Sequence, residues 1–440
     1  MDSLNASSFL DRLPRPLKRA TRPGFTLNVL VMLAGTLAGQ SISVLLSPVL
    51  TRLYGPSEFG YLSVYSAVLG ILGVMASLGL DLAIPIAGTE FECANLMGLC
   101  GFALVATTAM TALLMLVPAD LLAQLSLGPL ASYRCLVPIG FACLGGYYVM
   151  VAVATWAGAF KDIARTRVSQ GISGPVSQII FGVIGCGTPG LVIGWIIGQS
   201  SGTLLLMMRV VLRRASLLRE ISWSGMAAAA RRYAHFPLFA SWARLLDMAG
   251  GGTILFVLFT ACYSSKIAGF MFLSDRVIGR PLLVLSTSFL QVFTGEAGRA
   301  INDNPALLRQ RFYQVVPLQF VFAACWIALA NAVAGWVFPP LFGAQWADAI
   351  PYLRALSLSY LALTVLHPVS TTLQMVEWQV EAAIWQIARL ILVVASVLLA
   401  WRSGASAISA LWLSSIAQTI SVLAVFALMI VSIERIARRR

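Results

Sequence analysis

Charged residues lie inside two consecutive apolar stretches of this sequence. Arg244 and Asp247 fall near the middle of one stretch, and Asp275, Arg276 and Arg280 near the middle of the next. A charge at the centre of a bilayer costs roughly 2.5–3.5 kcal/mol on insertion scales, so these side chains are not expected to face lipid. They could line an internal cavity that binds or conducts a ligand, or form ion pairs that only hold helices together. We expect the cavity, because intramembrane charges are usually functional.

The apolar stretches predict an all-α integral membrane protein with about twelve transmembrane helices, in two six-helix bundles around a central cleft. Of the 440 residues, 59% are hydrophobic and 11% are charged, which is too apolar for a soluble domain. A helix needs about 20 residues to cross the hydrocarbon core. The predicted spans are 27–50, 60–86, 94–117, 134–158, 168–186, 189–208, 234–261, 266–292, 314–338, 350–374, 380–400 and 405–432. Gly171, Gly174 and Pro175 interrupt the fifth, and the sequence leaves open whether it crosses fully.

The basic residues are distributed unevenly around these spans. With twelve spans, 21 of the 30 Lys and Arg fall in segments on the same side of the membrane as the N-terminus. Cytoplasmic segments carry such an excess, so we expect both termini in the cytoplasm. Membrane topology therefore explains the net charge of +13, and no nucleic-acid partner is expected.

A faint repeat at an offset of 209 residues divides the chain. Residues 51–54 correspond to residues 260–263, and Gly60 corresponds to Gly269. Six spans separate the equivalents, so the halves should be parallel repeats with a substrate site between them near the midplane. The predicted organisation is a basic cytoplasmic tail (1–26), an N-terminal bundle (27–208), a cytoplasmic linker (209–233), a C-terminal bundle (234–432) and a second basic tail (433–440).

The linker at 209–233 is basic and partly amphipathic. Trp223 and Tyr233 could sit at head-group depth, as in an interfacial helix that rests on anionic membrane lipid. A plain connector made basic by the topology explains the same composition equally well.

Motifs for soluble enzyme chemistry are missing from the sequence. It has no phosphate-binding loop of the Gly-x-x-x-x-Gly-Lys-Ser/Thr type, no His-Glu-x-x-His and no Gly-x-Ser-x-Gly. The seven cysteines form no Cys-x-x-Cys pair and most lie inside predicted spans. We therefore predict a protein that is not an enzyme and that has no catalytic residues, cofactor or metal site.

Two turn motifs carry a resemblance to a known family. Residues 51–60, Thr-Arg-Leu-Tyr-Gly-Pro-Ser-Glu-Phe-Gly, and residues 77–81, Ser-Leu-Gly-Leu-Asp, lie in the segment 45–87. The second turn is carried by Phe342, Gly343, Trp346 and Ala349 within 341–373. The sequence thereby resembles the polysaccharide-transporter branch of the MOP flippase superfamily, the Wzx-type O-antigen flippases.

The resemblance implies a flippase of the bacterial inner membrane that moves undecaprenyl-diphosphate-linked oligosaccharides for surface polysaccharide, O-antigen or lipopolysaccharide synthesis. Arginine matches diphosphate oxygens with paired hydrogen bonds, which fits the intramembrane charges to such a head group. The expected substrate-binding residues are Arg244, Arg276, Arg280, Arg354 and Arg389, and the expected coupling or gating residues are Asp247, Asp275 and Asp81. In the absence of substrate, Asp247 could neutralise Arg244 and Asp275 could neutralise a neighbouring Arg. Arg276 and Arg280 are expected to share a helix face.

The resemblance leaves several alternatives open. A multidrug or cation antiporter of the same superfamily should have a cavity dominated by acidic residues, whereas arginine outnumbers aspartate in these spans. A lipid II-type flippase shares the diphosphate-lipid chemistry but has more spans than the twelve predicted here. Whether a polysaccharide polymerase and glycosyltransferases are partners also stays open.

Overall fold

The computed structural model describes residues 24–118, 133–287, 289–290, 293, 305–375 and 378–438. Within these ranges the chain is almost entirely helical and contains no β-strand. The predicted N-terminal tail, the end of the predicted eighth span and the last two residues lie wholly or mostly outside the described residues. The sequence-based prediction of an all-α membrane protein is confirmed.

The first half of the chain folds into a group of helices built around α6. Its helices are α1 (Gly24–Leu45), α2 (Ser47–Leu53), α3 (Pro56–Gly73), α4 (Glu90–Leu114), α5 (Leu136–Trp156), α6 (Phe160–Val183) and α7 (Gly187–Leu206). Helix α6 packs against α1 and α7, and α5 packs against α4 and α7. Predicted span two was expected to continue to residue 86, but α3 ends at Gly73, and residues 74–86 form turns and two short 3₁₀ segments.

The second half begins after two short helices and is more irregular. Its helices, with the two short ones first, are α8 (Ala215–Arg219), α9 (Trp223–Arg232), α10 (Ser241–Met248), α11 (Ile254–Cys262), α12 (Ser265–Ser274), α13 (Pro305–Phe342), α14 (Ile350–Leu366), α15 (Thr372–Met375), α16 (Gln379–Arg402) and α17 (Ala407–Arg438). Wider π-helical turns at Phe236–Ala240, Ala249–Thr253 and Asp275–Gly279 interrupt the helices that carry the intramembrane charges. Gly252 breaks the seventh span with a φ of 101°, which a residue with a side chain rarely adopts.

Nine helical segments of the described ranges are long and apolar enough to cross a membrane. The other three predicted spans coincide with α3, with α6, and with α12 and its continuation to residue 287. Each of these three spans contains at least two glycines and three serines, and 266–292 adds four charged residues, which lowers their hydropathy. A polar helix is tolerated in a membrane protein where it packs against other helices, as α3 does against α12.

The 209-residue offset reappears in the helix boundaries. Helix α2 ends at Leu53 and α11 at Cys262, while α3 begins at Pro56 and α12 at Ser265. Both pairs of boundaries lie 209 residues apart, so the equivalent turns of the two halves have the same length. The offset read from the sequence is therefore a structural correspondence at these turns.

The linker helices rest on the first half. Ser222 caps α9 by accepting a hydrogen bond from the backbone N–H of Gly225, and its own N–H donates to Asn95 of α4 (2.9 Å). The hydroxyl of Tyr233 donates to Glu92, also on α4, at 2.6 Å. These contacts fix the linker along α4 and leave Trp223 77% exposed.

Candidate functional site

A cavity of about 920 Å³ lies between the two halves. Five of the charged residues singled out in the sequence line it, namely Arg244, Asp247, Asp275, Arg280 and Arg389. The first half contributes mainly apolar and aromatic side chains to the lining, including Tyr148 and Trp195. It also contributes the side-chain amide of Gln199. The charges therefore come from the second half and meet one shared space.

Arg244 connects the two halves through an ion pair. Its Nη1 lies 2.7 Å from Oδ2 of Asp81, which is 4% exposed and also accepts a hydrogen bond from Ser77. Ser241, one turn earlier on the same span, donates to the backbone carbonyl of Leu78 at 2.7 Å. Asp247 was expected to neutralise Arg244, and that prediction is wrong. The partner is Asp81, because α10 packs against the turn that follows α3.

Asp247 turns instead toward the second half. Its carboxylate lies 3.7 Å from Nη2 of Arg389 on α16, and 67% of its side chain is exposed to the cavity. The Arg389 side chain is 4% exposed, and its guanidinium lies 4.6 Å from the ring centre of Trp385. A side chain at Gly250 would press on this guanidinium, since its Cβ would lie 2.8 Å from Nη2. The glycine thus allows span seven to pass close to Arg389.

The π-helical turn at Asp275–Gly279 decides how the next charges are paired. Such a turn brings residues five apart into line, and Nε of Arg280 lies 3.0 Å from Oδ2 of Asp275. The other carboxylate oxygen accepts a hydrogen bond from Tyr360 of α14 at 2.7 Å. Arg280 remains 43% exposed, so its other N–H groups can reach a ligand in the cavity.

Arg276 lies on a different side of the helix from Arg280. Its guanidinium packs over the rings of Phe59 and Phe272 (5.6 and 5.2 Å to the ring centres) and reaches Ser47 at 3.4 Å. The shared face predicted from the i,i+4 spacing is therefore wrong, because the wider turn rotates the two arginines apart. Arg276 contacts the first half and is not among the residues that line the cavity.

Arg354 and Asp81 also lie off the cavity wall. Arg354 is exposed on the outer side of α14 and does not line the cavity. Asp81 contacts the site through its ion pair with Arg244. Of the eight residues proposed from the sequence, the structure brings five to the cavity, places Asp81 next to it, and leaves Arg276 and Arg354 elsewhere.

Several uncharged polar residues that the sequence analysis passed over line the same cavity, among them Tyr360, Trp385, Ser415 and Gln418. Their sequence signal is a hydroxyl, indole or amide inside an apolar span, which is too common to select them. Packing selects them, since α14, α16 and α17 turn these faces toward one another.

The two turn motifs of the sequence, at residues 51–60 and 342–349, contact each other at one end of the cavity. The carbonyl of Thr51 accepts hydrogen bonds from Nε1 of Trp346 and Nε2 of Gln345, both at 3.0 Å. This carbonyl lies in the last turn of α2, and the N–H of Gly55 that would otherwise reach it donates to Glu58 (2.7 Å). The second half thus satisfies a helix end of the first, and Trp346 is fully buried there.

Two glycines bring α3 and α12 into backbone contact at the same end. A Cβ at Gly60 would overlap the carbonyl oxygen of Ser265, and one at Gly269 would overlap that of Pro56. Only glycine permits so close an approach at either position. The halves are therefore locked together where the α2–α3 and α11–α12 turns lie.

Comparisons with known proteins agree with this architecture. Residues 49–351 match the model of a family described as "Polysaccharide biosynthesis protein", a range that includes both turn motifs. No curated protein sequence matches the chain.

Solved structures of MOP superfamily transporters are similar to the chain in fold. A multidrug resistance MATE family transporter of the MOP superfamily in an inward-facing conformation matches with a TM-score of 0.75 at 15% identity, covering 93% of this chain and 99% of that one. An outward-facing MATE family transporter matches with a TM-score of 0.59 at 15% identity, covering 93% and 96%. A MOP superfamily transporter from Pyrococcus furiosus, described as having a binding pocket of reverse polarity, matches at 0.65 and 15% identity, also covering 93% and 96%.

Proposed function

From its membership of the polysaccharide biosynthesis protein family, we propose that this chain is a flippase for undecaprenyl-diphosphate-linked oligosaccharides. Family and fold support a flippase-type membrane transporter. The lipid-linked substrate, and a role in O-antigen or other surface polysaccharide synthesis at the bacterial inner membrane, are our proposal.

The observation that carries the proposal is the set of arginines in the cavity between the halves. Arg244, Arg280 and Arg389 line it against two aspartates, Asp247 and Asp275. Guanidinium groups bind diphosphate oxygens through charge-assisted hydrogen bonds, and Arg244 and Arg280 expose 30% and 43% of their side chains. A diphosphate head group can therefore reach them while its lipid tail stays in the bilayer.

The carboxylates supply a way to release that head group. Asp81 holds Arg244 and Asp275 holds Arg280 at 2.7 and 3.0 Å. A bound diphosphate competes with these carboxylates, and protonation of either one weakens its hold on the arginine. We therefore assign Asp81, Asp275 and Asp247 to gating or coupling rather than to substrate contact.

The lock at one end of the cavity supports alternating access as the transport mechanism. From the positive-inside distribution of charge, we propose that the α2–α3 turn lies on the outer side of the membrane. In this orientation the cavity is closed toward the outer side. The TM-score is also higher against the inward-facing MATE structure (0.75) than against the outward-facing one (0.59). Parting of the Gly60–Ser265 and Gly269–Pro56 contacts would open the cavity on this outer side.

A cation antiporter is the main alternative, because the MATE structures that share the fold are multidrug transporters. Its substrate would have to enter a cavity whose described lining holds three arginines against two aspartates. A lipid II-type flippase would use the same anionic chemistry, and the group attached to the diphosphate separates it from our proposal.

The test compares Arg280→Ala with Arg354→Ala, an arginine on a membrane helix outside the cavity. Surface polysaccharide and membrane-inserted protein are measured together in cells that depend on this gene. We expect Arg280→Ala to abolish export while protein remains, Arg280→Lys to restore part of it, and Arg354→Ala to export normally. Normal export by a stable Arg280→Ala protein would defeat the proposed role of the cavity arginines.

A further inference from the structure

One wall of the cavity carries buried polar atoms that have no hydrogen-bond partner among the described residues. They are both amide atoms of Gln418, the hydroxyl of Ser415, Nδ1 of His367, and Nε and Nη2 of Arg389. Gln418 and Ser415 are 3% and 1% exposed, and all four residues line the cavity. Buried polar groups are nearly always hydrogen-bonded, so a cluster of this kind requires a hydrogen-bonding partner from the cavity, either water or a ligand.

Trp385 and Arg389 of α16 and Ser415 and Gln418 of α17 form a strip along this wall, since α16 packs against α17. Ser415 and Gln418 lie one turn apart on α17, and the indole of Trp385 donates to the carbonyl of Ser421, a turn further on (2.8 Å). The guanidinium of Arg389 lies over the same indole ring. The strip therefore presents an amide, a hydroxyl and an aromatic ring, with a cation at one end.

The chemistry of the strip selects its ligand. An amide both donates and accepts hydrogen bonds, as a hydroxyl does, which suits neighbouring hydroxyl groups of a sugar. An aromatic ring supplies an apolar surface for the C–H face of the same sugar. A metal ion or an organic cation is disfavoured by the arginine that the strip contains.

We infer that the strip formed by Trp385, Arg389, Ser415 and Gln418 is a saccharide subsite. This inference rests on the proposed function and deepens it, because it places the first sugar of the lipid-linked head group against the second half. The sugar is bonded to the diphosphate, so the arginine at the end of the strip marks the side on which the diphosphate lies.

The test uses two lipids that differ only in the sugar. Binding of undecaprenyl diphosphate and of undecaprenyl-diphosphate-N-acetylglucosamine is measured on the full-length protein in lipid nanodiscs. Wild-type protein should bind the glycosylated lipid more tightly. Gln418→Leu should weaken binding of the glycosylated lipid about tenfold and leave undecaprenyl diphosphate unchanged, since one or two hydrogen bonds to the sugar are lost.

Two further variants serve as an alternative to Gln418→Leu and as a control. Ser415→Ala is a smaller change that removes one hydroxyl, and it should give the same selective loss if Gln418→Leu fails to fold. Gln310→Leu, an exposed glutamine on α13, should bind both lipids as the wild type does. Equal loss for both lipids in the Gln418 and Ser415 variants, or no loss for either, overturns the subsite. A wild-type protein that binds both lipids equally overturns it while the diphosphate proposal stands, and one that binds neither overturns both.

Discussion

Gly60 and Gly269 make the same contact in opposite directions. The α3 backbone at Gly60 lies against the carbonyl of Ser265, and the α12 backbone at Gly269 lies against that of Pro56. Each glycine is 209 residues from the other, and so are the two carbonyl groups. Equivalent turns of the two halves therefore contact each other at the closed end of the cavity, and each half contributes one glycine and one carbonyl group to the closure.

A methyl group at either glycine should part the two halves at this end. We expect Gly60→Ala and Gly269→Ala to shift the protein toward a state that is open there, to a similar extent in each. The readout is the distance between spin labels on Ser57→Cys and Asp348→Cys, exposed positions on opposite halves, with the native cysteines replaced. Gly335→Ala is the control, since no atom lies within 4 Å of its added Cβ. Wild-type distances in both variants would contradict the lock.

The hydrogen bonds from Trp346 and Gln345 to Thr51 should be partly redundant. Trp346→Phe removes one donor while Gln345 still satisfies the carbonyl, so its cost in unfolding free energy should come from the smaller ring at a fully buried position and not from an unpaired carbonyl. Adding Gln345→Ala leaves the carbonyl without a donor and should cost ~1–3 kcal/mol more than the single change. Thermal unfolding in detergent measures both, with Trp336→Phe as the control because Trp336 is 85% exposed. Strict additivity of the two changes would argue against a shared acceptor.

The sequence predicts the helices of this protein better than the partners of its charges. Long apolar runs mark the spans because a helix in lipid needs about 20 apolar residues. Helical spacing failed for Arg276 and Arg280, since a π-helical turn changes which residues share a face. It failed for Asp247 as well, because the partner of Arg244 comes from the other half, at a sequence distance that no local rule reaches. The strip around Gln418 is invisible in the sequence for the same reason.

The Asp81–Arg244 pair should be costly to break and less costly to remove. Asp81→Asn or Arg244→Gln alone leaves one partner nearly or partly buried without its counter-charge, and we expect loss of folded protein in the membrane. The double variant should recover much of that level, because no unpaired charge remains. Export of surface polysaccharide should stay low in the double variant, since the cavity has lost an arginine. Full recovery of export would reduce the pair to a structural role.

Variants of Arg276 can distinguish a role in substrate binding from a role in the contact between the halves. Its guanidinium packs on Phe59 and Phe272 outside the cavity, so its role in substrate binding stays a prediction that this conformation does not require. We expect Arg276→Ala to leave binding of undecaprenyl diphosphate within about twofold of wild type, whereas Arg280→Ala should weaken it at least tenfold.

The same Arg276 variant should weaken the closure between the halves. Removing the guanidinium takes away its cation–π contact with Phe59 of the first half, and such contacts contribute ~0.5–2 kcal/mol. The label distance between Ser57→Cys and Asp348→Cys should therefore broaden or lengthen in Arg276→Ala, and Arg276→Lys should reverse part of the change because an ammonium keeps the charge over the rings. An unchanged distance together with lost diphosphate binding would instead place Arg276 in the substrate site in a conformation other than this one.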